Sequence, residues 1–327
     1  MRQKCLSSFS SCCIRLVWIA LCVHCLVGCR ALRASRQTRE LTAARQMSLR
    51  GAEALQQKKY GDAESFFSEA IRQSSADERA QSGYAEVLLQ KGQVQAAIEH
   101  MTSAVAISAV EISGGNPDLV VRLGQMHLEQ GELPLALEQA DLALRNQRTH
   151  AGAWALKGDV LRQQHQLQDA LDCYHRSLIY HSDAPQVQIA LAEIYRQLGR
   201  PQRALATLNN LADHHSPEQV PPRAWLLKGQ ALDDLGEDVE AKRCLRLATQ
   251  YADESQCGLL LELASAQFDC GDLAEARLCL GRVLLQEPSN PSALQLQGQL
   301  DQSFAHLASD QNGKVPAMNA NFKREGQ

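Results

Sequence analysis

A small residue recurs along this chain at intervals close to 34 residues. The positions are Ala63, Ala97, Ala136, Ala170, Ala204, Ala241 and Ala276, and they lie 34, 39, 34, 34, 37 and 35 residues apart. A period of this length is typical of arrays in which each repeat is one supersecondary unit packed on its neighbours. The chain is therefore predicted to be a repeat array.

Other positions keep the same phase. A glycine stands five residues before the recurring alanine in five repeats, where a helix would end and the backbone would turn left-handed. These glycines are Gly92, Gly131, Gly199, Gly236 and Gly271. A second small residue stands twelve residues before the alanine in all seven repeats, and we expect it to allow two helices to approach closely. These residues are Gly51, Ala85, Gly124, Gly158, Ala192, Gly229 and Ala264.

With Trp154 and Trp225 four residues before the second small position, this pattern resembles the tetratricopeptide repeat, a helical hairpin. The resemblance covers residues 44–290 and implies an all-α protein. The expected architecture is a right-handed α-solenoid of about seven hairpins, with a capping helix from Pro291 to Leu307. Two insertions, 111–118 and 214–222, are predicted to be loops, and the polar residues 308–327 are predicted to be disordered.

The N-terminus resembles a bacterial lipoprotein signal. Three basic residues within positions 1–15 precede an uncharged segment, Leu16 to Gly28, that is shorter than the ~20 apolar residues of a membrane-spanning helix. It ends in Leu26-Val27-Gly28-Cys29, which is similar to a lipobox. The resemblance implies a signal peptide over 1–28 and a lipid on Cys29. We predict that a linker over 29–43 and the repeat domain over 44–307 follow. An ordinary cleaved signal or an uncleaved anchor is the alternative.

Arg30 follows the cysteine, and the common inner-membrane retention residue of such lipoproteins at that place is Asp. The resemblance therefore implies an exported protein that faces the periplasm, with the outer membrane favoured over the inner one. Cysteines Cys173, Cys244, Cys257, Cys270 and Cys279 remain after Cys29. Buried thiols are the simpler interpretation, but Cys270–Cys279 or Cys244–Cys279 could pair in an oxidising space.

Charge and motifs limit the function. The net charge is -4, and residues 1–28 hold three bases and no acid, so cleavage would leave -7. A balance of this sign argues against nucleic-acid binding. We find no phosphate loop, nucleophile elbow or metal-ligand spacing, and we predict no catalytic residue, metal or cofactor.

What remains is a binding surface. In the family that the repeats resemble, the first helices of successive hairpins line a groove that takes a peptide or a partner helix. The positions that correspond here are Ser82, Glu86, Leu89, Gln90, Val121, Gln125, Leu128, Ala155, Asp159, Arg162, Ile189, Glu193, Arg196, Leu226, Gln230 and Asp233. This composition predicts a partner with basic and apolar residues.

The predicted function is a membrane-anchored scaffold that binds an unidentified protein in the cell envelope. One alternative is an accessory component of a cell-wall, polysaccharide, secretion or pilus assembly complex. Another is a solenoid that associates with itself. An enzyme is disfavoured because no segment of 100 residues lies outside the repeats.

Overall fold

The computed structural model describes residues 39–111 and 115–312, and every regular element in these ranges is an α-helix. The chain divides into two compact units, an N-terminal unit up to Gln166 and a C-terminal unit from Leu167. The predicted signal peptide, Cys29 and most of the predicted linker lie outside the described residues.

The N-terminal unit contains seven described helices. They are α1 (39–56), α2 (Tyr60–Gln73), α3 (Glu78–Gln90), α4 (Val94–Glu111), α5 (Pro117–Glu129), α6 (Leu133–Asn146) and α7 (Ala151–Gln163). The C-terminal unit contains eight. They are α8 (Leu167–Tyr180), α9 (Pro185–Gln197), α10 (Pro201–His214), α11 (Pro222–Asp233), α12 (Asp238–Tyr251), α13 (Cys257–Asp269), α14 (Leu273–Gln286) and α15 (Pro291–Asn312).

The recurring alanine is the fourth residue of each even-numbered helix from α2 to α14. All seven alanines are fully buried, with 0% of their surface exposed. The odd-numbered helices from α1 to α13 are the first helices of the hairpins, and the even-numbered ones are the second helices. The predicted α-solenoid of helical hairpins is confirmed.

The second small residue forms the contact between the helices of a hairpin. A Cβ atom on Gly229 of α11 would lie 2.7 Å from Leu245 Cγ and 3.2 Å from the Ala241 carbonyl oxygen of α12. A Cβ atom on Gly124 of α5 would lie 3.0 Å from Gln139 Cβ of α6. We call these contacts the seam of a hairpin. The seam requires a small residue because the two backbones are already close.

All seven turns between the helices of a hairpin share one backbone geometry. The five predicted glycines have φ between 66° and 77°, which confirms their left-handed conformation. At Gly131 the following amide, Glu132 N–H, donates to His127 O at 2.9 Å, and Gly131 N–H donates to Leu128 O at 3.0 Å. These two bonds satisfy carbonyls at the end of the first helix.

Two turns adopt this geometry without glycine. Lys58 has φ 58° and His165 has φ 60°, and each stands five residues before a recurring alanine. The amides that follow them make the same bonds, from Lys59 N to Ala54 O and from Gln166 N to Leu161 O, both at 2.9 Å. The repeat therefore imposes the left-handed turn even where the side chain disfavours it.

The predicted bounds differ from the structure in four places. Helix α1 already includes residues 39–43, which precede the predicted start at 44, and α15 continues to Asn312, beyond 307. No Gly or Pro interrupts either extension, so the helix can continue. Both ends of each predicted insertion are helical, because α4 ends at Glu111 and α5 begins at Pro117, while α10 ends at His214 and α11 begins at Pro222. Proline suits the first helical turn, where its missing N–H has no partner to lose.

The last helix, α15, packs on α13 and α14, as expected of a cap. Ala293, Leu296 and Leu300 of α15 are buried, and Leu294, which is in repeat phase, is 47% exposed. The Arg277 guanidinium of α14 lies 5.4 Å from the centre of the Phe304 ring of α15. Within the described residues no helix combines the length and the apolar character that a membrane crossing requires.

Candidate partner-binding surface

The predicted groove residues all lie on first helices. In the N-terminal unit they are on α3, α5 and α7, and in the C-terminal unit on α9 and α11. The apolar members are largely part of the core. Val121 and Ile189 are each 6% exposed, and Leu226 is fully buried. Leu89 and Leu128 are half-buried and pack against core clusters.

The expectation of apolar contacts with a partner is therefore not supported by where these side chains lie. A buried side chain stabilises the hairpin and offers a partner little surface. The predicted groove residues that remain partly or fully exposed on the first helices are polar, and we call them the polar face of each unit. They are Ser82, Glu86, Gln90, Gln125, Asp159 and Arg162 in the N-terminal unit and Glu193, Arg196, Gln230 and Asp233 in the C-terminal unit. Ala155 lies beside them on α7 and is half-buried.

In the N-terminal unit an ion pair joins two first helices. Arg122 of α5 donates from Nε to Glu86 Oε1 at 2.6 Å and from Nη2 to Glu86 Oε2 at 2.8 Å. Its Nη1 donates to Gln125 Oε1 at 3.4 Å. The hydrogen bonds to Glu86 raise the pKa of Arg122. This two-point contact fixes the planes of both side chains.

Three further residues of this polar face make local contacts. Arg162 and Asp159 form an (i, i+3) pair on α7, with Nη2 and Oδ1 3.9 Å apart. Ser82 Oγ donates to the Arg79 carbonyl oxygen at 3.3 Å. Contacts of this kind at a helix surface stabilise by only a few tenths of a kcal/mol. Gln90 is exposed at the end of α3.

In the C-terminal unit one arginine joins three first helices. Arg223 of α11 contacts Glu193 of α9, with Nη2 and Oε1 3.0 Å apart, and also bonds to Glu262 of α13. Arg196 of α9 donates from Nε to Asp234 Oδ2 at 2.9 Å and from Nη1 to Gln230. The polar face of this unit is therefore a hydrogen-bonded network of alternating charge.

Asp233 holds a thiol at the edge of this network. Cys270 Sγ lies 3.2 Å from Asp233 Oδ1. Burial, followed by the hydrogen bond and negative charge of Asp233, raises the pKa of Cys270 to about 12. Burial and the charge of Asp233 also raise the pKa of Asp269. Cys270 is therefore held in its neutral, unreactive form.

The described cysteines, Cys173, Cys244, Cys257, Cys270 and Cys279, are all reduced thiols. Neither proposed disulfide is formed: Cys279 Sγ lies 3.3 Å from Thr249 Oγ1, and Cys270 is bonded to Asp233. Burial raises the pKa of Cys244 and of Cys279. In the part of the chain that the structure describes, no three His, Cys, Asp or Glu residues are arranged to hold a metal ion.

Sequence reasoning missed Arg122, Arg223, Asp234 and Glu262. Arg122, Arg223 and Asp234 contact the predicted residues Glu86, Glu193 and Arg196, and Glu262 contacts Arg223. The available signal was charge: arginines on α5 and α11 oppose acidic residues on α3 and α9. The pairing itself depends on how neighbouring helices are rotated, which spacing along one helix does not give.

Two family models match parts of the chain, and both describe tetratricopeptide repeats. One matches residues 54–108, and the other matches 155–217 and 190–254. These stretches include hairpins in both units. No curated protein sequence matches this chain significantly.

Solved structures with the same fold share little sequence. A tetratricopeptide repeat protein from Parabacteroides merdae is 13% identical, with a TM-score of 0.59 over 79% of this chain and 99% of its own. The Cut9-Hcn1 hetero-tetramer contains a chain that is 17% identical, with a TM-score of 0.53 over 79% of this chain and 42% of its own. PilF of Pseudomonas aeruginosa is 15% identical, with a TM-score of 0.50 over 80% of this chain and 99% of its own.

At these identities the likeness extends to the fold alone. Repeats of this kind are generally non-catalytic scaffolds, and the fold indicates a protein–protein interaction scaffold. The family models and the solved structures together support tetratricopeptide repeats in an all-helical α-solenoid.

Proposed function

We propose that this chain is a membrane-anchored scaffold that binds a partner polypeptide on the polar faces of its first helices. The observation that carries the proposal is the half-exposed ion-pair network on these helices. The Glu86 and Arg122 side chains are 29% and 32% exposed, and those of Glu193 and Arg196 are 18% and 25% exposed. Charges this close to solvent can exchange an internal partner for an external one at small cost.

The chemistry of the polar face favours an extended, hydrogen-bonding partner. Gln125 and Gln230 offer amide groups at the same repeat position, eleven residues before the recurring alanine. An amide both donates and accepts, so it suits a peptide backbone as well as a polar side chain. The half-buried Ala155 leaves room for a close approach over α7.

The anchor rests on the sequence from Leu16 to Cys29. The lipobox-like ending would place a diacylglycerol and a further acyl chain at Cys29, and two or more chains hold a protein firmly at a membrane. An envelope location follows from the same signal. The partner would then be a periplasmic or membrane protein, including a component of a cell-wall or pilus assembly complex.

Site-specific photo-crosslinking tests the binding surface. A photoreactive amino acid at Gln125 or Gln230, in living cells, should give a discrete adduct with a partner. The same probe at Glu138, exposed on the second helix α6, is the matched control and should not give that adduct. Equal adducts from all three positions would show that the polar faces are not the binding surface. An adduct of the chain with itself would favour the self-associating solenoid.

Cell fractionation tests the anchor separately. Cys29→Ser should move the protein from the membrane to the soluble fraction and abolish incorporation of labelled fatty acid. Retention of Cys29→Ser in the membrane would exclude the lipid anchor while leaving the binding proposal intact.

A further inference from the structure

A polar cavity lies within the C-terminal unit, away from the polar face. Its volume is about 300 Å³, and it is bounded by the end of α10 and the loop before α9. None of the predicted groove residues lines it. The size is at the lower end of small-molecule sites.

One wall of the cavity is a pair of histidines at the end of α10. His214 Nδ1 bonds to the Asn210 carbonyl oxygen at 2.7 Å, and His215 Nδ1 bonds to the Leu211 carbonyl oxygen at 3.0 Å. A carbonyl only accepts, so both rings carry their proton on Nδ1. In the neutral ring the Nε2 atom is then an acceptor.

Asp183 and Gln188 also line the cavity and add acceptor oxygens. Asp183 Oδ1 lies 3.2 Å from His215 Nε2, which places the negative charge of the carboxylate at the cavity. Gln188 is 6% exposed, and its Nε2 donates to Asn210 Oδ1 at 3.1 Å. The Gln188 Oε1 atom is buried and has no hydrogen-bond partner. A buried acceptor without a partner destabilises the fold, because it has lost its hydrogen bonds to water.

We propose that this cavity binds the cationic end of a basic side chain, a lysine ammonium or an arginine guanidinium, presented by a partner polypeptide. Such a group has several donors and no acceptor, which complements a cavity lined by acceptors. Leu211 supplies an apolar part of the wall for the methylene stem. The anionic alternative is disfavoured, because Asp183 would repel an anion and Gln188 Oε1 would stay without a donor.

Binding can be followed by NMR of the histidine rings in the whole chain. N-acetyl-lysine-N-methylamide should produce saturable shifts of the His214 and His215 ring signals. N-acetyl-norleucine-N-methylamide, which keeps the stem and lacks the charge, should produce none. Equal shifts from both probes would overturn the proposal, and so would stronger binding of inorganic phosphate than of the lysine probe.

Two variants test the walls, and one serves as the control. Asp183→Asn changes a side chain that is 67% exposed, so the fold should be kept. It should weaken binding about tenfold, the effect of removing one charged hydrogen-bond partner. Gln188→Leu should also weaken binding. Gln186→Leu, an exposed position on the same helix, should bind as the unmodified chain does. Unchanged affinity in Asp183→Asn would contradict the proposal.

A third probe separates the two sources of such a cation. If putrescine binds as tightly as the capped lysine, the cationic chemistry stands, but the ligand is a free amine and the polypeptide source is wrong. If the capped lysine binds more tightly, the contacts extend to the peptide backbone and the polypeptide source is supported. Because the cavity and the polar face share no residue, crosslinking from Gln125 or Gln230 can fail without affecting this result.

Discussion

The seams of the hairpins and the polar faces of the first helices differ in what determines them. At a seam, one position is Gly or Ala in all seven repeats, and at Gly229 even a Cβ atom would lie less than 3 Å from Leu245 of the facing helix. On the polar face, Glu86, Gln125 and Gln230 occupy one repeat position, but Glu86 is charged and the two glutamines are neutral. Glu86 and Gln125 bond to Arg122, and Gln230 bonds to Arg196. Packing therefore determines the seam, and pairing between helices determines the charges and contacts of the polar face.

The largest effect is expected at a seam. Gly229→Ala should lower the free energy of unfolding by about 1–3 kcal/mol, because the new methyl group must displace Leu245 or the Ala241 backbone. Urea denaturation followed by circular dichroism measures it. Gly281→Ala is the control: this helical glycine has nothing within 4 Å of its Cβ position, so alanine should stabilise by about 0.5–1 kcal/mol. Equal stability of both variants would show that the seam tolerates a larger residue.

The next largest effect is expected at the left-handed turns. His165→Gly and Lys58→Gly should each raise the free energy of unfolding by about 1 kcal/mol, because glycine adopts positive φ without a steric cost. Gly131→Ala should instead lower the free energy of unfolding. Its Cβ would meet nothing within 4 Å, so any loss of stability comes from the backbone alone. Thermal melting of the three variants gives the comparison, and a destabilised His165→Gly would contradict it.

On the polar face the expected effect is smaller. Glu86→Arg and Arg122→Glu should each destabilise by about 0.5 kcal/mol, because each places two like charges at the former ion pair. The exchanged double variant should recover most of this loss. It keeps the pair and reverses the charges that a partner meets. If the double variant regains stability but gives no crosslink from Gln125, the pair contributes to both packing and binding.

The smallest change concerns a single thiol. Cys270 should be alkylated slowly at pH 8, far below its pKa of about 12, since the thiolate is the reactive form. Asp233→Asn removes the hydrogen-bonded charge and should speed alkylation, although burial, the larger cause, remains. Peptide mass spectrometry gives the rate, and Asp238→Asn, exposed on α12, is the control. An unchanged rate in Asp233→Asn would show that burial alone protects the thiol.

The sequence could predict what the repeat imposes and little beyond it. The buried alanines, the seams and the glycine turns all follow from one period, because each is a contact within a hairpin. The left-handed conformations of Lys58 and His165 could also be predicted, since both residues stand at the glycine position of their repeats. A pattern defined by glycine, and not by position in the repeat, does not include them.

The polar contacts between first helices could not be predicted from the repeat period. Arg122 and Arg223 find their partners across helices 30 or more residues away, and the rotation of one first helix against the next decides whether the atoms meet. The same reason applies to Val121, Ile189 and Leu226, which the resemblance places along a groove and which are buried. The cavity at His214 arises where an insertion follows α10, so the period gives no information about it.

The identical backbone of the seven turns has a consequence for how such a chain can change in length. Residues 93–131 run from the end of one left-handed turn to the glycine of the next, and they include α4 and α5. Removing them would join Gly92 to Glu132 through a turn with the same dihedral angles and the same pair of amide bonds. The joint is thus interchangeable along the molecule, and whole hairpins can be gained or lost without a new kind of connection.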